Sequence, residues 1–288
     1  MKPVKKAVVP VAGFGTRFLP FTKAVPKAML PVVNRPAIQV ITEEIVSSGI
    51  EEILFVVGYK SEVIKEHFTP SKELEKELLA KGKTEFFRMI KYPETMAKIS
   101  FVYQDELNGT AKAVMAGKEF CNGEPFAVLF GDDLMFNTER PVIKQLIEVY
   151  NQTGKNVIGC KNVSKEDVTK YASVEYSNKC GNIYDAIKIT EKPKLEEVKS
   201  TLSPLGRYVF TPEIFDAIES LKPAKNGEYQ LTDAFDLLAK QGKVSAIEFE
   251  GVRYDMGSRL GFLKANIEFA LRDDELAGEL KDYLKTLL

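Results

Sequence analysis

The chain is poor in the residues that build disulfides, zinc sites and histidine-dependent catalytic centres. It has one histidine, His67, and three widely spaced cysteines, Cys121, Cys160 and Cys180. We therefore expect no disulfide framework, no zinc site and no Ser-His-Asp or Cys-His centre. Because the first residues lead into a strand and not into an apolar signal segment, we expect a reducing, cytoplasmic location.

Net charge and long apolar runs are also lacking. The 40 lysines and arginines are balanced by 41 acidic residues, so no overall positive field attracts nucleic acid or an anionic membrane. No apolar run approaches the roughly 18 residues of a membrane span. We expect neither a nucleic acid partner nor a membrane partner, and any anion site must be local.

What the chain does contain is a series of short apolar, β-branched runs separated by amphipathic segments. The runs cover residues 7–11, 53–57, 99–102, 126–130 and 157–159. Their continuous apolar character predicts strands that are covered on both faces, as in a parallel sheet wrapped by helices. The connecting helices are predicted at residues 37–48, 110–120 and 141–152. The predicted class is α/β, with a Rossmann-like, mixed but mainly parallel sheet.

We expect one domain over residues 1–288, divided into residues 1–162, a smaller α+β part at 163–257, and a C-terminal helical segment at 258–288. The smaller part has a predicted hairpin, with strands at 171–176 and 183–190, and a further strand at 205–210.

Two helical segments raise questions of packing. The C-terminal segment has an apolar stripe of Leu260, Leu263, Ile267 and Leu271, which we expect to pack on the core or on a second subunit. Residues 70–98 are predicted to be a charged helical insert with a solvated face, and a lid over a site is the alternative.

A glycine-rich segment, Gly13-Phe14-Gly15-Thr16-Arg17, follows the first predicted strand. Glycines at a strand's carboxyl end let the backbone turn tightly and bring its N–H groups close to a ligand. Arg17 and Lys27 add two cations, which suit a triphosphate better than one carboxylate or a neutral sugar. A dinucleotide fingerprint does not fit, because Phe18 stands where it needs a third glycine. The segment predicts a polyanionic ligand.

Carboxylates follow two of the other apolar segments. Asp132 and Asp133 come directly after the run at 126–130, at the edge of the sheet where ligands gather. A divalent cation held together with phosphate oxygens is one interpretation, and a polar turn or helix cap is the other. Asp255 leaves a similar choice between a metal ligand and the N-cap of the terminal helix.

Taken together, the segments resemble the signature of the sugar nucleotidyltransferases, and most closely the bacterial UTP:glucose-1-phosphate uridylyltransferases. The resemblance extends over nearly the whole chain. Besides the glycine-rich segment and Lys27, it rests on Gln104 with Gly109-Thr110-Ala111, Gly131-Asp132-Asp133, Glu191-Lys192-Pro193, Gly206-Arg207-Tyr208, residues 227–234 and Tyr254-Asp255-Met256-Gly257. So many matches in the same order favour common descent over chance.

The resemblance implies a role for each matched residue. Arg17, Lys27 and Lys192 would be catalytic, on the leaving phosphates, the α-phosphate and the attacking sugar phosphate respectively. The implied nucleotide-binding residues are Ala12, Gly13, Gly15, Thr16, Gln104 and Gly109, and the implied sugar-binding residues are Glu191, Gly206 and Asp133. Asp132 and Asp255 would hold Mg²⁺, the implied cofactor. Residues 1–162 would mainly bind nucleotide and residues 163–257 mainly sugar.

The implied reaction transfers a uridylyl group from UTP to glucose 1-phosphate, with UDP-glucose and pyrophosphate as products, in a homo-oligomeric enzyme. Two departures leave the base open. Ala28 stands where these enzymes usually carry glutamate, and residues 108–113 are closer to the wider nucleotidyltransferase pattern. Thymidylyl transfer, or transfer to another sugar 1-phosphate, is the first alternative. A non-catalytic regulator that binds a nucleotide sugar is the second.

Overall fold

The computed structural model describes residues 1–137, 139–224 and 227–287. The strands are β1 Lys6–Pro10, β2 Pro31–Val32, β3 Arg35–Pro36, β4 Glu52–Val57, β5 Lys98–Tyr103, β6 Phe126–Leu129, β7 Asp133–Phe136, β8 Asn156–Asn162, β9 Ala172–Cys180, β10 Ile183–Glu191, β11 Leu202–Phe210, β12 Val244–Glu248 and β13 Val252–Asp255.

The helices between them lie mostly at the predicted places. They are α1 Ala37–Ser47, α2 Ser61–His67, α3 Lys72–Ala80, α4 Thr84–Thr95, α5 Thr110–Met115, α6 Lys118–Cys121, α7 Val142–Thr153, α8 Lys165–Val168, α9 Glu213–Glu219, α10 Leu231–Ala239, α11 Arg259–Ala270 and α12 Ala277–Leu287. Short 3₁₀ turns cover Thr16–Phe18, Phe21–Lys23, Lys27–Met29 and Leu195–Glu197.

A nine-stranded sheet forms the centre of the molecule, in the order β5-β4-β1-β6-β11-β8-β12-β10-β9. The pairs β4–β5, β1–β4, β1–β6 and β8–β12 are parallel. Strands β11 and β10 pair antiparallel with both of their neighbours, so they run against the other seven. The sheet is therefore mixed and mainly parallel, and the predicted α/β class is confirmed.

Both faces of this sheet are covered. Successive residues of β1 enter different apolar clusters, with Ala7 and Val9 in one cluster and Val8 in the other. Strand β4 alternates in the same way, with Phe55 on the first face and Val56 on the second. Burial of every residue along a strand explains why these runs are continuously apolar in the sequence.

The helix predicted at 110–120 is interrupted in the structure. It ends at Met115 and resumes at Lys118. Gly117 lies at the break, and a Cβ there would stand only 2.7 Å from Cγ2 of Val8 in β1. The close approach of this segment to the central strand accounts for the glycine.

The predicted apolar stripe of the C-terminal segment does not pack on the core. Leu260, Leu263 and Ile267 are exposed, whereas Ala265 of the same helix, α11, is fully buried. Phe262 and Phe269 accompany it against the core. The helix has two apolar faces, and helical spacing alone does not tell which one faces inward.

The insert at 70–98 forms two helices, α3 and α4, of which only Pro93 is buried. Lys91 links them through Oε1 of Glu75, 3.2 Å away. The predicted solvated face is confirmed, and a lid movement stays a prediction. None of the described helices is long and apolar enough to cross a membrane.

Candidate active site

A cleft of about 480 Å³ opens where β1, β5 and β6 end. Most of the predicted site residues line it, although they come from segments up to 243 positions apart. Those that line the cleft are Ala12, Gly13, Arg17, Lys27, Gln104, Gly109, Asp132, Asp133, Glu191, Lys192, Gly206 and Asp255. A concave site of this size suits a small ligand.

Two predicted nucleotide-binding residues, Gly15 and Thr16, lie outside the residues that line the cleft. Gly15 has a φ of 63°, and a Cβ there would stand 2.9 Å from Cβ of Lys27. The hydroxyl of Thr22 donates to the Gly15 carbonyl over 2.9 Å. Gly15 thus lets the turn pack against the segment that carries Lys27.

Arg17, Lys27 and Asp255 converge beside Gly257. A Cβ built on Gly257 would stand 3.1 Å from Nη1 of Arg17, 3.2 Å from Nζ of Lys27 and 2.7 Å from Oδ1 of Asp255. Arg17 also donates to the Gly257 carbonyl over 3.3 Å. Two cations and a carboxylate from opposite ends of the chain therefore surround one point, which is the charge pattern that a phosphate–cation pair needs.

Lys27 also binds Asp132 directly. Its Nζ lies 2.6 Å from Oδ2 of Asp132, and the two side chains keep 17% and 44% of their surface exposed. Burial by itself raises the pKa of the Asp132 carboxyl, but Lys27, and then Arg253, outweigh it and hold the pKa below its ordinary value. Asp132 is thus an ionised, accessible carboxylate at the edge of the cleft.

A two-stranded sheet brings the three aspartates together. Strand β13 pairs antiparallel with β7, so that Asp255 lies opposite Asp133. The amide of Met256 donates to the Asp132 carbonyl over 2.8 Å. This pairing joins the two predicted metal ligands across 123 positions of sequence.

Asp133 is held by groups that the sequence did not identify. Nε of Arg253 donates to its Oδ1 over 2.6 Å, and Nη1 donates to the Tyr171 hydroxyl over 3.0 Å. A Cβ on Gly206, whose φ is 71°, would stand 2.4 Å from Oδ2 of Asp133. Burial, and then the carboxylates of Asp132 and Asp255, raise the pKa of Asp133 to about 6, against the opposing effect of Arg253. Gly206 therefore makes room for Asp133, besides lining the cleft.

A buried ion pair lies beneath these aspartates. The Arg207 side chain is fully buried and its Nη2 lies 2.7 Å from Oε2 of Glu44, itself 7% exposed. The same Nη2 donates to the Asp133 carbonyl over 2.8 Å. Glu44 in turn accepts from the amide of Ile143 over 3.1 Å. The pair ties β11, α1, α7 and the aspartate turn together, with its hydrogen-bonding groups largely paired.

The predicted sugar-side pair, Glu191 and Lys192, stands at the end of β10. Glu191 accepts from the Thr232 hydroxyl over 2.7 Å, and burial raises the pKa of its carboxyl. Lys192 has a φ of 40°, and its amide donates to the Tyr171 carbonyl over 2.7 Å. The Lys192 Nζ lies 3.6 Å from Oε1 of Glu191, and 61% of the Lys192 side chain stays exposed and able to reach a ligand in the cleft.

The predicted base-binding residues lie between β5 and α5. The Gln104 amide nitrogen donates to the Glu106 carbonyl over 2.9 Å. A Cβ on Gly109, whose φ is 112°, would stand 2.3 Å from the Tyr229 carbonyl oxygen. Gly109 is thus required for the contact with the segment at Tyr229, and its predicted approach to a base stays a prediction.

The carboxylates fit a divalent cation whose remaining ligands would be substrate oxygens and water. Within residues 1–137, 139–224 and 227–287, no group of three or more histidine, cysteine or acidic side chains is arranged to hold a metal. Mg²⁺ usually takes one or two carboxylates and completes its shell with phosphate oxygens and water. Asp132 and Asp255, at one end of the β7–β13 pair, match that requirement.

Sequence reasoning gave no role to Glu44, Tyr171, Arg207, Thr232 and Arg253, although Arg207 and Thr232 lie in matched segments. For Arg253 a local signal existed, because it is two positions before Asp255 in a strand and so shares its face. For the others the partner is remote in sequence. His67 lies outside the lining of the cleft, with Nε2 3.0 Å from Oε1 of Gln39.

Comparison with known proteins places the chain in a family. The family model described as nucleotidyl transferase matches residues 6–270. A UTP–glucose-1-phosphate uridylyltransferase of Staphylococcus epidermidis is 45% identical over 287 residues, covering 100% of this chain and 99% of that protein. UTP–glucose-1-phosphate uridylyltransferase 1 of Staphylococcus saprophyticus is 42% identical, covering 99% of each chain.

Solved structures agree with these sequence relatives. A UTP-bound enzyme from Acinetobacter baumannii, named UGPase, has a TM-score of 0.92 at 34% identity, covering 99% of this chain and 100% of that one. A UDP-glucose pyrophosphorylase in complex with UDP-glucose has a TM-score of 0.86 at 34% identity, covering 94% and 100% respectively. The chain therefore belongs to the nucleotidyl transferase family, among the UTP–glucose-1-phosphate uridylyltransferases.

Proposed function

We propose that this protein transfers a uridylyl group from UTP to glucose 1-phosphate, forming UDP-glucose and pyrophosphate. The names of its full-length relatives support this reaction, as do the UTP and UDP-glucose complexes of similar structures. The observation that carries the proposal is the convergence of Arg17, Lys27 and Asp255 within about 3 Å of one point beside Gly257. Such a point offers positive charge and a metal ligand to the same phosphate.

In the proposed mechanism an oxygen of the sugar phosphate attacks the α-phosphorus of UTP, while the bond to the β-phosphate breaks on the opposite side. The main barrier is the repulsion between two anions, so positioning and neutralisation of charge supply the catalysis. Lys27 binds the α-phosphate, Arg17 binds the leaving phosphates, and Lys192 directs the attacking phosphate. Since the sugar phosphate is the nucleophile, no protein nucleophile is needed.

The remaining predicted residues position the two ends of the substrates. Glu191, fixed by Thr232, would accept from sugar hydroxyls. Gln104 has an amide that both donates and accepts, which complements the edge of a pyrimidine.

We propose Mg²⁺ as the divalent cation, with Asp132 and Asp255 as its protein ligands. When bound, it offsets the negative charge of the phosphates that it contacts. Until then Lys27 neutralises Asp132, at 2.6 Å. Lys27 would exchange Asp132 for the substrate phosphate, and Asp132 would then be available to hold the cation.

The decisive experiment is a matrix of UTP, dTTP, CTP, ATP and GTP against several sugar 1-phosphates, read by pyrophosphate release with Mg²⁺. We expect UTP with glucose 1-phosphate to have the highest kcat/KM. A higher kcat/KM for dTTP would make the protein a thymidylyltransferase. This outcome is worth testing because Ala28, with only a methyl side chain, lines the cleft where the uridylyltransferases usually carry glutamate. No pyrophosphate release with any pair would identify a binding protein instead.

Two further predictions accompany the proposed function. A homo-oligomer is expected from the apolar residues that α11 leaves exposed, Leu260, Leu263 and Ile267. A reducing, cytoplasmic location is expected from the three free cysteines, of which Cys121 and Cys160 are buried. Size-exclusion chromatography with light scattering tests the first, and fractionation of the source cells tests the second.

A further inference from the structure

A second cleft, of about 520 Å³, adjoins the first. The two clefts share Arg17, Lys170, Tyr171, Arg253 and Asp255. Tyr171 and Arg253 form a partition between them, with the guanidinium carbon 4.7 Å from the centre of the ring. Arg17 is therefore accessible from both sides, and the second cleft continues the first beyond the predicted site of the leaving phosphates.

The second cleft has a marked excess of positive charge. Its described lining holds four cations, Arg17, Lys170, Arg253 and Lys264, and a single carboxylate, Asp255. Arg253 is paired with Asp133 and Lys170 with Asp167. Arg17 and Lys264 form no salt bridge with any residue in the described ranges. A cleft lined by these cations suits a ligand with several negative charges better than a sugar or a base.

The start of α11 adds to this field. Leu260 and Gly261, in the first turn of this 12-residue helix, line the cleft. A Cβ on Gly261 would stand 2.1 Å from the Asp255 carbonyl oxygen, so the helix begins directly against the strand that carries the predicted metal ligand. A helix N-terminus has a partial positive charge, which here adds to the positive charge of the side chains.

We propose that the second cleft is the exit site for inorganic pyrophosphate, with Lys264 as its principal contact. This inference rests on the proposed function, which supplies pyrophosphate as the leaving group on the Arg17 side of the first cleft. After the bond between the α- and β-phosphates breaks, Arg17 keeps its contact while the diphosphate turns towards Lys264. The site then moves the product away from the α-phosphorus and, by microscopic reversibility, receives pyrophosphate when the reaction runs in reverse.

The test compares wild-type protein with Lys264→Ala. Isothermal titration with magnesium pyrophosphate should show a dissociation constant raised about tenfold, which is the effect of losing one charge-assisted contact. The inhibition constant of pyrophosphate in the forward reaction should rise by the same factor. The kcat/KM for UTP should change less than twofold, because the contact forms only after the transition state.

Two further variants make the test specific. Lys264→Arg should restore wild-type affinity, and Arg259→Ala should leave it unchanged, since Arg259 has the same charge on the same helix but lies outside the lining. An unchanged dissociation constant in Lys264→Ala would overturn the proposal. An equal loss in kcat/KM for UTP would also overturn it, because Lys264 would then hold the triphosphate itself. Since the titration needs no turnover, failure of the proposed reaction would leave the anion site separately measurable.

Discussion

Two of the ion pairs that join distant parts of this chain lie at and beneath the cleft, and they differ in how much of their hydrogen-bonding capacity is already used. Lys27 and Asp132 meet at the rim of the cleft with 17% and 44% of their side chains exposed. Arg207 and Glu44 meet beneath it with 0% and 7% exposed. Arg207 donates both to Glu44 and to the carbonyl of Asp133, whereas Lys27 donates to the Asp132 carboxylate.

The difference indicates that the rim pair binds ligands and that the buried pair supports the structure. The buried pair was desolvated during folding, and its geometry leaves no room for exchange, so its contribution is to hold the aspartate turn in place. The rim pair is accessible. In the proposed reaction a substrate phosphate replaces Asp132 as the partner of Lys27, and a cation replaces Lys27 as the partner of Asp132. If this distinction is correct, substitutions in the two pairs should separate activity from stability.

The largest effect on activity is expected at the rim, for Lys27→Ala. Turnover should fall about 10³-fold, since the α-phosphate loses its principal counter-charge. The free energy of unfolding should change by about 1 kcal/mol or less, because a partly exposed pair contributes little to stability. Pyrophosphate release at saturating UTP and a urea melt measure the two effects. Turnover within tenfold of wild type would remove Lys27 from the mechanism.

The largest effect on stability is expected beneath the cleft, for Arg207→Met. Leaving Glu44 buried without its partner should cost about 3–5 kcal/mol of unfolding free energy, measured by urea denaturation. Adding Glu44→Gln should recover most of this loss, because the amide oxygen still accepts from Ile143 while the charge is gone. Lys81→Met, which breaks the exposed pair with Glu77, serves as the control and should cost under about 1 kcal/mol. Equal losses in the two single variants would refute the distinction.

A somewhat smaller loss of activity is expected for Lys192→Ala. The rate should fall about 10²-fold, mostly as a lower kcat with glucose 1-phosphate, since Lys192 directs the attacking phosphate. Stability should be nearly unaffected, because most of the side chain is exposed. Lys194→Ala, two positions along the same exposed loop, is the matched control. A variant with full kcat would show that Lys192 has no part in the reaction.

The smallest effect is expected from Gly206→Ala, which lies between the two pairs. The new Cβ would stand 2.4 Å from Oδ2 of Asp133, so the carboxylate has to move and activity should fall about tenfold, with a stability loss of about 1–3 kcal/mol. Gly181→Ala is the matched control, because its φ is also near +60° but nothing lies within 4 Å of the new Cβ. If both variants behave alike, backbone strain alone explains the effect and the contact with Asp133 is unimportant.

Much of the fold was predictable because buried strands leave continuous apolar runs in the sequence. Strands β1, β4 and β6 are apolar at successive positions, as both faces of the sheet require. The anion site indicated by the glycine-rich segment with Arg17 and Lys27 stays a prediction. The predictions were less good where a segment has two possible partners. The exposed stripe of α11 is as periodic as the buried face, and only packing against the core distinguishes them.

By itself, the sequence determined the class of fold and predicted a polyanionic ligand, since these depend on composition and on spacing over a few residues. The tertiary structure alone decided which charges meet. The pairing of β13 with β7 places Asp255 opposite Asp133, and Arg207 reaches Glu44 across 163 positions. Such contacts are set by how strands and helices pack together, and a spacing of a few residues along one strand or helix contains no information about a partner elsewhere in the chain.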